Sequence, residues 1–431
     1  MLSANFIYWA VLAILILEYA AGAVLDHLNV KASACPIPDV LRGLYDDKEY
    51  RKQQSYLAAN TRFGRIETGA STALEVCLFA AGIYGWLAGV VASWSGSPVV
   101  QTFLFICILM LYSVIIGVPF SWYRTFRIEE RFGFNRTTRK TFASDSVKEI
   151  LLSTVLAGGL MSGLCAIYCL VPDTFWILGF AALALFSFIL NFFYSDIIAP
   201  IFNKQTPLPE GELRDAITSF AEKAGFKIGN IYVKDGSKRS THANAYFTGF
   251  GRKKRIVLYD TLIEKLTTDE TVAVLAHEMG HYRMGHIWKD MLEGLVETLV
   301  MMCLLGLMLP SDTLAQATGA DSASFFLNFY VFTMLWTPVN FITGTVSNLI
   351  SRRHERQADA FACSHGLGDD LASGLKKLTA DSLGNLTPHP AVVFFTYSHP
   401  TLAERVMACS DSQDNYSSDQ IEESFPDPIS K

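Results

Sequence analysis

The sequence predicts an α-helical, multi-pass membrane protein with seven transmembrane helices and a small α+β segment on one side of them. Three observations predict it. Of the 431 residues 51% are hydrophobic and only 18% are charged, a balance foreign to ordinary soluble proteins. Apolar runs long enough to cross a bilayer core recur seven times, at about 5–26, 70–95, 99–122, 149–171, 174–195, 289–310 and 324–350. Lys and Arg fall only in alternate connections between those runs.

The first run is preceded by no Lys or Arg, so it lacks the basic start of a cleavable signal and reads as a retained helix. The connection after it holds Lys31, Arg42, Lys48, Arg51, Lys52, Arg62 and Arg65, and the connection after the third run holds Arg124, Arg127, Arg131, Arg136, Arg139 and Lys140. Arg352, Arg353 and Arg356 follow the seventh. The connections at 96–98, 171–173 and 311–323 hold none. Because cytosolic loops carry the basic excess, the N-terminus is expected outside, with 200–288 and everything after 350 in the cytosol. The organisation expected is 1–199 with helices one to five, 200–288 as a cytosolic α+β segment, 289–350 with helices six and seven, 351–409 as a C-terminal segment, and 410–431 as an acidic, serine-rich disordered tail. That tail accounts for much of the net charge of −6, and no nucleic-acid partner is expected. Eight cysteines without paired spacing read as buried small residues.

Glu18, Glu75, Glu293 and Glu297 lie inside the apolar runs. Ionisable groups in hydrocarbon are costly, so they are expected to meet polar partners or water; for Glu18 a position near a helix end is an equal account.

The 200–288 segment predicts a helix from about Glu210 to Lys223, with Leu213, Ala216, Ile217, Phe220 and Ala221 on one face and Gly225 ending it. Strand-like runs follow at Asn230–Lys234, Asn244–Phe250 and Arg255–Asp260, the last two joined by Gly251-Arg252-Lys253-Lys254. No dinucleotide or phosphate-loop fingerprint is present.

His277, Glu278 and His281 then form H-E-x-x-H after an apolar run of Val272, Val274, Leu275 and Ala276. Residues four apart share a helix face, so the two imidazoles can serve one zinc ion while Glu278 stands beside it. The plain alternative is a solvated helix face with two polar histidines. A catalytic zinc needs a third protein ligand and an open position. At the end of the seventh run Glu355 and Asp359 lie four apart. Glu355 can supply the third ligand, and Asp359 can accept from the far nitrogen of a zinc histidine. His354 is a rival by chemistry but points about 100° away on a helix.

Taken together the chain resembles the type I CAAX prenyl proteases. The resemblance rests on Ile128-Glu129-Glu130 with Gly133-Phe134-Asn135, Ile198-Ala199-Pro200 with Thr206-Pro207-Leu208-Pro209, Asn244-Ala245-Tyr246-Phe247, Arg255 to Asp260, the H-E-x-x-H motif, Ser351 to Ala362, and Tyr397-Ser398-His399-Pro400. It implies seven helices around a water-filled chamber and a zinc metalloendopeptidase, with one Zn²⁺ per chain, that removes the terminal tripeptide beside a prenylated cysteine. His277, His281 and Glu355 match the family's zinc ligands, Glu278 its general base, and Asp359 a catalytic acid that supports the ligands or donates a proton. His399 matches a residue contacting the transition state, and Asn244 and Arg405 match substrate contacts. Peptide or protein substrates, prenylated or not, and the lipid bilayer are the partners implied. The resemblance leaves open a membrane quality-control protease, and intramembrane acids admit a transporter or channel with structural zinc. The C-terminus lacks a dilysine retrieval signal, so a bacterial inner membrane and a eukaryotic endoplasmic reticulum both stand.

Overall fold

The computed structural model describes residues 3–226, 230–248 and 255–413. The 251–254 turn, Asn415 and nearly all of the expected acidic tail lie outside the described residues.

Long apolar runs give long helices, Pro119 and Pro338 being accommodated inside two of them: α1 (Ala4–Ala32), α4 (Pro98–Phe132), α5 (Arg139–Leu170), α6 (Pro172–Phe202), α9 (His286–Met308) and α10 (Phe325–Ser364), each long and apolar enough to cross a membrane. The second crossing differs from a single straight run. It is a pair, α2 (Asp47–Ala80) and α3 (Ile83–Trp94), bent by 66°. Gly82 between them takes the left-handed φ of +69°, which a side chain resists. At Gly85 a Cβ would come within 2.5 Å of the Thr318 carbonyl oxygen, so the 318–320 connection packs directly on the bent helix. With the pair counted as one crossing, the spans number seven among the described residues.

Caps fix where the helices begin. Asp46 and Glu49 form a reciprocal capping box on α2, which carries this helix well beyond the expected membrane edge into the basic connection. The intramembrane acids find partners where hydroxyls reach them. Tyr84 and Tyr330 both donate to Glu75 at 2.7 Å, and Thr343 donates to Glu297 at 2.7 Å.

Between α6 and α9 lies a four-stranded sheet of β1 (Gln205–Pro207), β2 (Asn230–Lys234), β3 (Ala245–Thr248) and β4 (Arg255–Tyr259), in the order β1-β2-β4-β3. β2 and β4 run parallel, and the outer strands pair antiparallel. β3 is therefore an edge. Ile256 and Leu258 of β4 bury against α7 (Glu212–Lys223) and α8 (Thr268–Arg283), through Ile217, Leu275 and Met279. Thr267 and Glu270 cap α8 reciprocally. Three shorter helices complete the described residues: α11 (Gly368–Asp381), α12 (Pro390–Thr396) and α13 (Leu402–Gln413).

Two contacts place the basic connections on the same end of the molecule as this sheet and the C-terminal helices. Asn135 bridges to Ser240, and the Asn385 amide donates to Asn29 at the end of α1, at 3.2 Å. Asn135 and Asn385 head glycosylation sequons, so if this end is cytosolic neither will carry glycan in a eukaryotic host. Glycosidase-sensitive mobility shifts check this, and a glycan on either asparagine would invert the orientation.

Candidate active site

The site forms where α8 crosses α10. Gly280 permits the crossing, since a Cβ there would meet the Ala358 backbone at 3.0 Å and the Phe361 side chain at 3.1 Å. With the helices this close, the His277–His281 face of α8 meets the Glu355–Asp359 face of α10. The Nε2 atoms of His277 and His281 are 3.2 Å apart, and His281 Nε2 lies 3.2 Å from Glu355 Oε1. His277 Nε2 lies 3.4 Å from Glu355 Oε2. On its other side, His277 Nδ1 meets Asp359 Oδ1 at 2.7 Å.

All four carry little exposed surface except His281, which is half-buried. Burial opposes charge on His277, but the Asp359 and Glu355 carboxylates outweigh it and raise the ring to about 9 when no cation is bound. The pocket thus draws positive charge. Glu278, half-buried beside His277, is pushed up chiefly by its burial, with the histidines pulling the other way.

The C-terminal segment adds a second layer. Arg405 of α13 grips Asp359 through two nitrogens, at 2.8 and 2.6 Å. Asp359 is 2% exposed, so this pair keeps a buried carboxylate ionised and aimed at His277. His399, in the loop between α12 and α13, brings Nε2 to 3.3 Å from Glu355 Oε1, while its Nδ1 lies 2.9 Å from the Ser398 hydroxyl. Asn244 is exposed. Its side chain accepts from the Ala245 N–H at 2.8 Å, and it opens β3, which lies against α8.

Arg352, a basic residue after the seventh run, also has a structural place at the site. It is buried, and its guanidinium donates to the carbonyls of Val393 at 2.9 Å, Phe394 at 3.3 Å, and Tyr397. Those contacts tie the end of α12, and with it the His399 loop, to the helix that carries Glu355. Its signal was available only as an arginine one turn ahead of Glu355 on the same side of α10.

Residues 26–204 match the family model described as CAAX prenyl protease N-terminal, five membrane helices, and residues 207–413 match Peptidase family M48. A protein of Oryza sativa subsp. japonica named CAAX prenyl protease 1 homolog is 33% identical over 419 residues, 94% of this chain and 97% of the relative. The chain belongs to the CAAX prenyl protease family of M48 metallopeptidases. The CAAX prenyl protease 1 of Saccharomyces cerevisiae is 32% identical, over 88% of this chain and 89% of its own. The crystal structure of S. mikatae Ste24p superposes with a TM-score of 0.89 at 30% identity, covering 94% of this chain and 99% of that one.

Family membership implies a metal ion, and the residues fit one. His277, His281 and Glu355 each turn a ligand atom into one space, all within 4.8 Å of one another. The imidazole spacing of 3.2 Å is close to the edge of a tetrahedron with metal–nitrogen bonds of about 2.0 Å. Glu355 Oε2 is buried without a hydrogen-bond partner, a costly state that a cation would relieve.

The two glutamates separate by experiment. Glu278→Gln keeps size and hydrogen bonding, so the protein should retain metal and lose about 10²- to 10⁴-fold in turnover. Glu355→Gln removes an anionic ligand, so metal per protein should fall with activity. Metal analysis beside turnover of one peptide on purified variants decides it; loss of metal from the Glu278 variant with retention in the Glu355 variant would reverse the assigned roles.

Proposed function

We propose that this chain is a zinc metalloendopeptidase that cleaves the C-terminal tripeptide from prenylated CAAX-type proteins, with its site facing the cytosol. The observation that carries the reading is the three-residue ligand group with Glu278 beside it, set against the edge strand β3. Relatives bearing the name CAAX prenyl protease 1 over nearly the whole chain supply the substrate class.

A bound zinc supplies a Lewis acid and an acidified water. His277, His281 and Glu355 would hold it. Glu278 takes the water's proton as the peptide carbonyl is attacked, then returns it to the leaving amine. Its burial suits that task, because a carboxyl pushed upward is a better base than an exposed one. His399, exposed toward the open side and 3.3 Å from Glu355, is placed to donate to the developing oxyanion. Arg405 and Asp359 hold His277 in the tautomer whose Nε2 faces the metal.

The substrate is extended at cleavage, and β3 offers it unpaired backbone groups for strand addition, with Asn244 at the strand's start. Seven helices around a water-filled chamber would admit such a chain. On α4 the apolar side chains of Phe103, Leu111 and Ile115 are exposed, as a wall facing lipid requires.

A farnesylated peptide ending in a CAAX sequence tests the reading. Release of the tripeptide should occur, stop on zinc chelation and return on zinc addition, while the unprenylated peptide should be cut far more slowly. Equal cleavage of both peptides, or preferential cleavage of unfolded membrane-protein segments, would favour a quality-control role instead.

A further inference from the structure

We propose that His286 is a positioning residue for the metal ligand His281, holding its tautomer and ring orientation through a two-step hydrogen-bond chain that ends on Gln357. The proposal rests on the metal-site reading above.

His281 turns Nε2 toward His277 and Glu355, both at 3.2 Å. Its other nitrogen, Nδ1, lies 3.0 Å from His286 Nδ1. An uninterrupted helix forbids that contact, because a residue five positions on stands about 140° round the axis. The chain makes it by breaking the helix. Gly285 takes a φ of +66°, the left-handed conformation that glycine adopts without strain, and α9 restarts at His286. The restart folds the His286 ring back beneath His281.

His286 is 1% exposed, so both of its nitrogens need protein partners. Its Nε2 lies 3.0 Å from Gln357 Oε1. Gln357 sits on α10 two residues after Glu355, so the chain returns to the helix that supplies the third ligand. The ring also stacks on His354 at 3.9 Å and 10°, and His354 Nδ1 lies 3.1 Å from Asp290. The ring plane is therefore fixed as well as its edge.

One arrangement of protons satisfies every contact. A metal on His281 Nε2 leaves the proton on Nδ1, which must then donate to His286 Nδ1. That acceptor nitrogen carries no proton, so His286 holds its proton on Nε2 and donates to the Gln357 carbonyl oxygen. His286 faces the far side of His281 and is thus not itself a ligand. The two ligand histidines differ in consequence: His277 leans on the carboxylate of Asp359, whereas His281 leans on a neutral imidazole. A neutral acceptor polarises its ring less, so the chain orients His281 without adding a second anion behind the metal.

The test compares zinc affinity and the rate of zinc release to a chelator for the full-length protein and three variants. His286→Leu removes the acceptor and should weaken zinc binding by about 10- to 100-fold. His286→Asn places a carbonyl oxygen near the position of Nδ1 and should recover most of that loss, although it packs no better than leucine. Gln357→Leu frees the His286 tautomer and should accelerate zinc release by a smaller factor. Equal zinc retention in the leucine and asparagine variants would overturn the chain. Should His286→Leu fail to fold, unchanged zinc release from Gln357→Leu overturns it instead. A wild-type protein that takes up no zinc would sink the metal-site reading itself, an outcome distinct from a zinc-loaded wild type beside an equally retentive His286→Leu.

Discussion

Everything at the active site depends on how closely α8 approaches α10. Gly280 faces the Ala358 backbone with no room for a side chain, and the buried faces on either side are made of Ala273, Ala276, Ala358 and Ala362. Small residues set the distance. A larger one at Gly280 would push the helices apart and carry the His277–His281 face away from Glu355 and Asp359, whose carboxylates reach only a few bonds from the backbone. The Glu355 carboxylate reaches the two histidines because the residues packed between the helices are small.

That closeness creates an electrostatic difficulty that the fold resolves from two directions. Glu355 and Asp359 are both almost inaccessible to water, at 5% and 2% exposure, and two buried carboxylates one helical turn apart repel. Arg405 answers Asp359 with a two-nitrogen contact and lies 3.7 Å from Glu355. Glu355 keeps an oxygen without a hydrogen-bond partner, so one negative charge is left for a cation. Arg405 reaches this point because α13 is pinned to α10 through Val406, Cys409, Ala362 and Cys363. The C-terminal helix thereby braces the candidate metal cluster through Arg405.

The sequence carries much of this, unevenly. Span positions were legible because burial in lipid needs only composition and length. The 66° bend between α2 and α3 was not, because the residues on both sides of Gly82 are equally apolar and the conformation of that glycine is set by the 318–320 connection packed on Gly85. β1 was missed for a similar reason: three residues including Pro207 have no periodicity to read. His277, His281, Glu355 and Asp359 announced themselves because helical spacing of four converts sequence into a shared face. His286 did not, since five is the wrong interval on a helix and only the turn at Gly285 makes it a neighbour. Arg352 was visible but counted as loop charge, and its burial against the end of α12 depends on tertiary contacts. Asn244, His399 and Arg405 were indicated by resemblance alone, and the last two reach the cluster from a segment far along the chain.

The length of α10 links chemistry to the bilayer. It runs 40 residues without interruption, from Phe325 to Ser364, roughly 60 Å at the rise of an α-helix. Its first part spans the membrane and its last part holds Glu355 and Asp359. Glu355 falls five residues past the apolar run that ends near 350, or about 7.5 Å along the axis. A single stiff element thus sets the depth of the metal site relative to the hydrocarbon edge. For the prenylated substrate proposed above that depth would matter, because the scissile bond would follow directly on the lipid-bearing cysteine. A site mounted on a flexible linker would have to find that depth at each encounter, whereas one mounted on the spanning helix already has it. The tie from Arg352 to the His399 loop extends the same logic: the loop that carries His399 is referenced to α10, the helix that also carries Glu355 and Asp359.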